Sequence, residues 1–482
     1  MTPGISDALA RFCIEELPSR LTPAVRAAAR DALADACAVA LAGSTVKPNE
    51  VLRRALLPGL ETAGYLATVI GHDTPCWAPI AALCNGSSAH SIELDDLVRE
   101  ASVHAGAVVV PAALAAAEVA GCSGERFLTA IVAGFEAMTR VGSWCTPAAL
   151  FERHFHPTGV TGAYGAAASV AVASGLDAEH LSRAFGIVSD LSTALMDFGH
   201  SGSWSKRLHA GWPAHAGLLA CRMAAEGFQG TREIFTSPRG MLFAYTGRTE
   251  PAAAAVPEYG EALAIEGNAF KQYACCRFFH TAMDMLAAIR ASERLKGADI
   301  DRVRIGLFRW GHNLAVPVED KCHPATMIEA QFSMQYSAAA LIQHGRASLP
   351  EFKDDVVADP QVVALAERIE VVHDPALDVD FPDRYASWVE VDTRDGRHFA
   401  DRRRHTLGDA EHPLSRTQFR EKFDVLSGMV LTSRRVELLW NAVETIEAAR
   451  GVRHLAECLR AGVPQQRQSA GNPFGLVDLG VR

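Results

Sequence analysis

Apolar and small residues fill long stretches of the first half of the chain, with polar residues at intervals that suit a helix. Many of these residues are alanine, which loses no side-chain entropy in a helix. Glycines such as Gly43 and Gly175 mark helix ends, and Ser123 and Asp177 stand at N-cap positions. The predicted helices are Pro23–Ala42, Ala78–Ser91, Pro111–Val119, Gly124–Gly142, Gly162–Ser174, Leu181–Ser192 and His209–Ala225.

The pattern changes after a Pro- and Ala-rich crossing at 246–268. Short runs rich in β-branched residues predict strands, and Thr393–Gly396 predicts a hairpin turn. The predicted strands are Val303–Arg309, Ile369–His373, Ser387–Asp392 and Arg397–Ala400. Helical runs lie between them, at Cys276–Ala291, Glu329–Gln343 and Pro360–Ala366, and helical patterning returns from Ser415 to Leu459.

This order of elements predicts a mainly α fold with a discontinuous helical domain. We expect residues 1–265 and 405–465 to form a large all-helical domain. A smaller α/β domain, residues 266–404, is inserted in it, and 466–482 form a loose tail that is polar and Gly/Pro-rich.

Net charge, cysteine content and the one long uncharged stretch exclude several classes of partner and location. The 482 residues carry a net charge of −10, which argues against a nucleic acid or an anionic membrane as partner. The eleven cysteines contain no CxxC pair and do not form the regular framework of a secreted disulfide protein. The uncharged stretch Pro157–Leu176 is long enough to raise the question of a membrane span, but its Gly, Ala, Ser and Thr content predicts a buried helix. We expect a soluble, cytoplasmic protein.

Two histidines stand in matching contexts beside a group of acids. Glu93 and Asp96 are three residues apart, on one face if the segment is helical. His104 precedes an apolar helix predicted to begin near Ala107, and His156 precedes Pro157, a residue suited to the first turn of a helix. A helix start favours a neutral imidazole and a bound anion. The alternatives are a solvated acidic turn and histidines that serve as caps or core residues.

Two further clusters supply positive charge. Lys206 and Arg207 form one, which suits a carboxylate clamp or a surface basic spot, with His209 close behind. The second, at the entry to the predicted α/β domain, consists of Lys271, Cys276, Arg277 and His280.

There is no glycine-rich phosphate loop, and the cysteine spacing does not suit zinc. These groups therefore predict a site without cofactor or metal that removes a proton beside a carboxylate of a small di- or tricarboxylate.

Six ordered blocks of sequence resemble the MmgE/PrpD family, which includes 2-methylcitrate dehydratase, cis-aconitate decarboxylase and iminodisuccinate epimerase. The resemblance covers about residues 5–460 and implies a large helical domain with an inserted α/β domain, usually in a homodimer. The blocks begin at His90 (HSIELDD), His104 (HAGAVVVPAAL), His156 (HPTGVTG), Gly202 (GSWSKRLH), Lys271 (KQYACCR) and Ala330 (AQFSMQY).

The resemblance implies active-site roles for Glu93, His104, His156, Lys206 and Lys271. Four positions depart from the pattern of the decarboxylase or epimerase branches. Glu93 stands where those branches tend to have Asp. Leu97 replaces a frequent Thr of the decarboxylase, Cys276 replaces a further His, and Ala105 replaces the Pro that commonly follows the first His. These departures disfavour decarboxylation.

The leading hypothesis is a metal-independent lyase, a dehydratase or hydratase, that acts on a small polycarboxylate such as a 2-methylcitrate-like acid. Lys206, Lys271 and Arg277 would hold carboxylates. Either His104 or His156 would take the proton, and the other, supported by Glu93 or Asp96, would protonate the leaving hydroxyl. The alternatives are an epimerase or racemase, a decarboxylase, and a helical binding protein without catalytic activity.

Overall fold

The structure is a computed structural model that describes residues 4–57, 59 and 65–460. The predicted tail 466–482 lies outside these residues. The first half is helical: α1 (Ile5–Arg11), α2 (Pro23–Gly43), α3 (Lys47–Leu56), α4 (Ala78–Ala89), α5 (Ala105–Ala120), α6 (Gly124–Cys145), α7 (Pro147–Glu152), α8 (Pro157–Ser174), α9 (Ala178–Val188), α10 (Phe198–Ser201), α11 (Ser205–Ala225) and α12 (Met241–Thr246).

The second half holds shorter helices and the main sheet. Its helices are α13 (His280–Glu293), α14 (Arg309–Asn313), α15 (Val318–Cys322), α16 (Met327–Gln331), α17 (Met334–His344), α18 (Pro360–Ala366), α19 (Arg416–Ser427), α20 (Ser433–Glu444) and α21 (Arg453–Leu459). The strands of the whole chain are β1 (Leu66–Ala67), β2 (Cys76–Trp77), β3 (Leu97–Val98), β4 (Asn268–Ala269), β5 (Ile300–Leu307), β6 (Ile369–His373), β7 (Ser387–Thr393) and β8 (His398–Arg403).

The main sheet has four strands in the order β6-β5-β7-β8. Strands β5 and β6 are parallel, whereas β7 is antiparallel to both β5 and β8. Inward-facing Val303, Ile305, Val389 and Val391 are buried, which gives the alternation expected of a sheet with one packed face. The mainly α fold with a small mixed sheet in the second half confirms the predicted fold class.

The helical core is built around α8, in which every residue from Pro157 to Ala173 is buried. It packs against α5, α6 and α11, where small residues allow close approach. This confirms the prediction that the uncharged stretch is a buried helix. None of the helices in the described ranges combines the length and apolar character that crossing a lipid bilayer requires.

Several predicted boundaries were wrong, including the starts of α8 (Pro157, not Gly162) and α11 (Ser205, not His209), and three of the differences have an identifiable reason. Helix α5 begins at Ala105, before both the expected start near Ala107 and the predicted run Pro111–Val119, because a carboxylate from an earlier loop, Asp96, accepts a hydrogen bond from its first turn. The predicted helix Glu329–Gln343 is two helices, since the Ser333 hydroxyl accepts from Tyr336 N and caps a new one. The predicted helix Cys276–Ala291 begins only at His280, after a short 3-10 turn.

Candidate active site

A close crossing of α4 and α11 places the first catalytic candidates next to each other. A Cβ added to Gly86 would lie 2.9 Å from the Gly211 Cα, and one added to Gly211 would lie 2.2 Å from the Ser87 Oγ. Only glycine permits this approach. The crossing brings the loop that follows α4, which carries Glu93, to the start of α11, which carries Lys206.

A two-stranded ladder brings in the second lysine. Leu97 in β3 pairs with Ala269 in β4, and Val98 pairs with Asn268. Lys271 is the second residue after β4. The pairing therefore places Lys271 beside the loop before β3, which carries Glu93. Residues about 170 positions apart in sequence therefore meet through backbone hydrogen bonds, which is a stable way to fix a site.

Glu93 is the centre of a buried charge cluster. Its carboxylate accepts hydrogen bonds from Lys206 Nζ, from Lys271 Nζ at 3.0 Å and from Arg207 Nη1 at 3.2 Å. Burial opposes its ionisation, but Lys206 and Lys271 outweigh burial and hold the pKa of Glu93 below its ordinary value. Glu93 also has a φ of 54°, a left-handed conformation that costs a non-glycine residue about 1 kcal/mol or more and is typical of functional sites.

Sequence reasoning missed Asp95 and His90. The Asp95 carboxylate lies 2.6 Å from His90 Nδ1, 3.0 Å from His104 Nδ1 and 3.6 Å from Lys271 Nζ. The sequence does contain a signal for Asp95, because it is the middle acid of three. An assumed helical spacing favours Glu93 and Asp96 instead. The segment is a loop, so that spacing does not apply.

Hydrogen bonds fix the tautomer of His104. Its Nδ1 lies 2.7 Å from the backbone carbonyl of Asp96, which can only accept, so Nδ1 carries the proton and Nε2 has the lone pair. His104 directly precedes α5, as predicted. Burial lowers the pKa of His104 below its ordinary value, although Asp95 opposes this, so the ring is neutral at pH 7. A neutral imidazole with a free Nε2 is suited to accept a proton.

His156 directly precedes α8, also as predicted, and pairs with His209. Their Nδ1 atoms are 3.2 Å apart, so one donates and the other accepts. Burial lowers the pKa of both rings, and for His209 to about 3, with Lys206 adding to the effect. Phe198 lies edge-on to both rings and excludes water from one side.

These groups surround a small cavity of about 50 Å³, called the chamber below. That volume has room for a few water molecules. The predicted site residues that line it are Glu93, His104, His156, Lys206, Lys271, Cys276 and Arg277, joined by Leu97, Ser102, Phe151, Met196, Phe198, Phe278, Leu314 and Phe332.

Four predicted site residues lie behind the chamber wall instead. Asp96 faces α5, Arg207 is held by Gln331 and the His90 carbonyl, and His209 backs His156. His280 is fully buried, with its Nε2 near the Cys275 carbonyl.

Arg277 lines the chamber, but a carboxylate from far along the chain already pairs with it. Asp409 accepts from Arg277 Nη2 at 2.5 Å and also pairs with Arg99 at 3.2 Å. Arg277 is therefore less available than the lysines to bind a carboxylate of the substrate. Each lysine ammonium has three N–H donors, and the contact with Glu93 uses one of them.

His90, Asp95 and His104 form a set that resembles a metal site, since their donor atoms lie within 4.8 Å of one another. Both rings already bond to the single carboxylate, and an ammonium group, Lys271, lies 3.6 Å from it. A divalent cation bound there would be repelled by the nearby positive charge of Lys271. The arrangement fits a carboxylate that orients two imidazoles better than it fits a metal centre.

A pH effect on stability follows from Asp96. Both of its oxygens lie 3.0 Å from Gly106 N, and burial, with the charges of Asp35 and Asp95, raises its pKa to about 8. The folded state holds this proton while the unfolded chain releases it near pH 3.8, so stability is lost as pH rises through that interval.

We expect Asp96→Asn to remove this dependence. The stability of the variant relative to wild type should increase with pH up to about 8 and then level off. Thermal unfolding of both proteins between pH 5 and 9 measures it, with Asp395→Asn as control, because hydrogen bonds from Thr393 and Arg397 lower the pKa of that exposed carboxyl. Parallel curves for Asp96→Asn and wild type would mean that this carboxyl does not titrate in the interval.

Comparison with known proteins matches both halves of the chain to the same family. The model of the MmgE/PrpD N-terminal domain matches residues 7–254, and that of the C-terminal domain matches 273–448. A cis-aconitate decarboxylase-like protein of Aspergillus oryzae is 28% identical over 476 residues, covering 94% of this chain and 96% of that protein. Human cis-aconitate decarboxylase is 27% identical over 80% of each chain.

A dehydratase is also among the relatives. The 2-methylcitrate dehydratase of Escherichia coli is 26% identical over 133 residues, which cover 26% of this chain and 27% of that enzyme. Both family models thus match in order and together span most of the sequence, including every residue of the chamber except Lys271, which lies between the two matched ranges. The chain belongs to the MmgE/PrpD family.

Proposed function

We propose that the protein is a metal-independent lyase that acts on a small polycarboxylate by removing a proton from a carbon next to a carboxylate. The main support for this proposal is the chamber, where the neutral His104 faces the same space as Lys206 and Lys271. The relatives named above are lyases whose printed names refer to tricarboxylic acids.

The charges of the cluster favour an anionic ligand. Lys206, Arg207 and Lys271 carry three positive charges against the two negative charges of Glu93 and Asp95. The excess of one positive charge is buried, where it attracts a carboxylate more strongly than it would in water. The unused N–H groups of the two lysines would hold that carboxylate and stabilise the negative charge that develops on it.

Proton transfer would then use His104 as base and Lys206 as acid. The Nε2 atom of His104 takes the proton from carbon, and the electron pair forms the double bond as hydroxide leaves from the adjacent carbon. Burial lowers the pKa of Lys206, so its ammonium gives up a proton more readily, and that proton converts the leaving hydroxide to water. Transfer from the His104 imidazolium to the Lys206 amine restores the starting state. His156 would orient the substrate from the opposite side.

Dehydration remains our leading reaction, and decarboxylation is the second candidate. The relatives with high coverage favour decarboxylation, because they are named cis-aconitate decarboxylases or decarboxylase-like. The departure at Cys276 favours dehydration, because a thiol, whose pKa burial raises to about 11, stands where the decarboxylase branch has a further His. Epimerisation would use the same base but release neither water nor CO₂.

The experiment that tests the proposal is a product analysis over a panel of citrate-, malate- and aconitate-like acids. We expect a new conjugated double bond in the ultraviolet, no CO₂, and unchanged rates with EDTA. CO₂ release would identify a decarboxylase, and deuterium incorporation without either product would identify an epimerase. Absence of any reaction and of any thermal stabilisation by these acids would contradict the proposal and favour a binding protein.

We also propose a homodimer, formed through the outward face of α11. Trp204, Leu208 and Trp212 recur every four residues there and are 46%, 40% and 41% exposed, a stripe that water solvates poorly. The variant Leu208→Glu should convert a dimer to a monomer in light scattering, whereas Val379→Glu, at an exposed site elsewhere, should not. A wild-type protein that is monomeric at micromolar concentration would contradict this.

A further inference from the structure

A second cavity adjoins the chamber and is not used by the chemistry above. It has a volume of about 880 Å³ and shares four side chains with the chamber: Phe151, Met196, Phe278 and Leu314. We call it the apolar cleft, because Leu195, Trp310, Val316 and Pro317 supply much of the rest of its lining. Among the described residues that line it there is no lysine or arginine.

The sizes of the two cavities indicate that the chamber does not hold the whole substrate. At about 50 Å³ it is far below the roughly 300 Å³ at the lower end of ligand pockets, whereas the cleft falls within that range. The four shared side chains line both cavities, and we call them the shared layer. The two cavities are therefore neighbours, and a ligand that extends from the chamber past this layer would occupy both.

The shared layer is attached to the segment that positions His156. Met196 N donates to the His154 carbonyl at 3.0 Å, and His156 N donates to the Ala194 carbonyl at 3.0 Å. Met196 is unbranched, so it can change rotamer to let a ligand pass. A substrate held by His156 and the lysines would thus lie next to this layer.

We propose that the substrate carries an apolar chain on its polycarboxylate skeleton and that this chain lies in the apolar cleft. This inference rests on the proposed function, because it assumes that the chamber holds the carboxylates. The described lining of the cleft holds one histidine, His154, and one acid, Asp197, but no lysine or arginine, so a polyanion gains less there than in the chamber. Each methylene that moves from water into an apolar cavity of this kind is stabilised by burial.

The test is a binding series with unreactive tricarballylate and its ethyl, butyl and hexyl derivatives, measured by calorimetry on the full-length protein. We expect the dissociation constant to fall about fourfold per added methylene, the factor that corresponds to about 0.8 kcal/mol. Leu195→Asp should abolish this gain and leave the affinity for tricarballylate unchanged. Leu195 lines the cleft but not the chamber and is 62% exposed, so the change is compatible with folding.

Val379→Asp, at a residue that is 84% exposed and outside the cleft lining, is the matched control and should behave as wild type. If tricarballylate binds and longer chains bind no more tightly, the inference is overturned while the proposed function stands. If Leu195→Asp keeps the full gain, the chain lies elsewhere and the inference is also overturned. If no member of the series binds, the proposed function fails, and this inference fails with it.

Discussion

His104→Gln is expected to lower kcat on the identified polycarboxylate by about 10³-fold, within the range for loss of a general base. Glutamine has no group that accepts a proton at neutral pH, yet its amide can still donate to the Asp96 carbonyl that His104 Nδ1 contacts at 2.7 Å. The substrate would still reach the lysines, so KM should change little. Steady-state kinetics and a thermal unfolding curve measure the two effects.

The matched control is His215→Gln. His215 is also buried and also lies near a backbone carbonyl, that of Pro79 at 3.0 Å, but it does not line the chamber. This variant should keep near-wild-type kcat. If His104→Gln retained more than a tenth of wild-type kcat with its fold intact, another group would have to be the base.

Glu93→Gln is expected to lower the free energy of unfolding by about 3–5 kcal/mol, the cost of removing one partner from a buried ion pair. The substitution keeps the shape of the side chain but leaves Lys206, Arg207 and Lys271 without the charge they share. Urea denaturation measures the loss. Tricarballylate should restore more stability to this variant than to wild type, because a bound carboxylate can replace the missing charge.

Glu118→Gln provides the comparison for this prediction. The Glu118 carboxylate is also largely buried, but it bonds mainly to Thr68, with N and Oγ1 at 2.8 and 2.7 Å, and its arginine contact is 3.8 Å long. We expect that variant to lose about 1 kcal/mol. Equal losses in the two variants would show that the cationic cluster does not depend on Glu93.

Local sequence signals predicted the parts of the site that local structure determines. His104 and His156 were placed before helices because apolar runs follow them, and for His156 a proline as well, and both lie there. The same signals could not predict that Asp95 would bond to His104 or that Asp409 would pair with Arg277. Those contacts depend on the crossing of α4 with α11, on the β3–β4 ladder and on a segment 132 residues away.

Proton removal by His104 can be measured directly by proton NMR of the polycarboxylate panel with the protein in D₂O. We expect wild-type protein to release or exchange the proton next to a carboxylate in at least one of these acids, and His104→Gln to do so about 10³-fold more slowly. No loss of that signal with any acid, or equal rates for the two proteins, would contradict proton removal by His104 in the chamber.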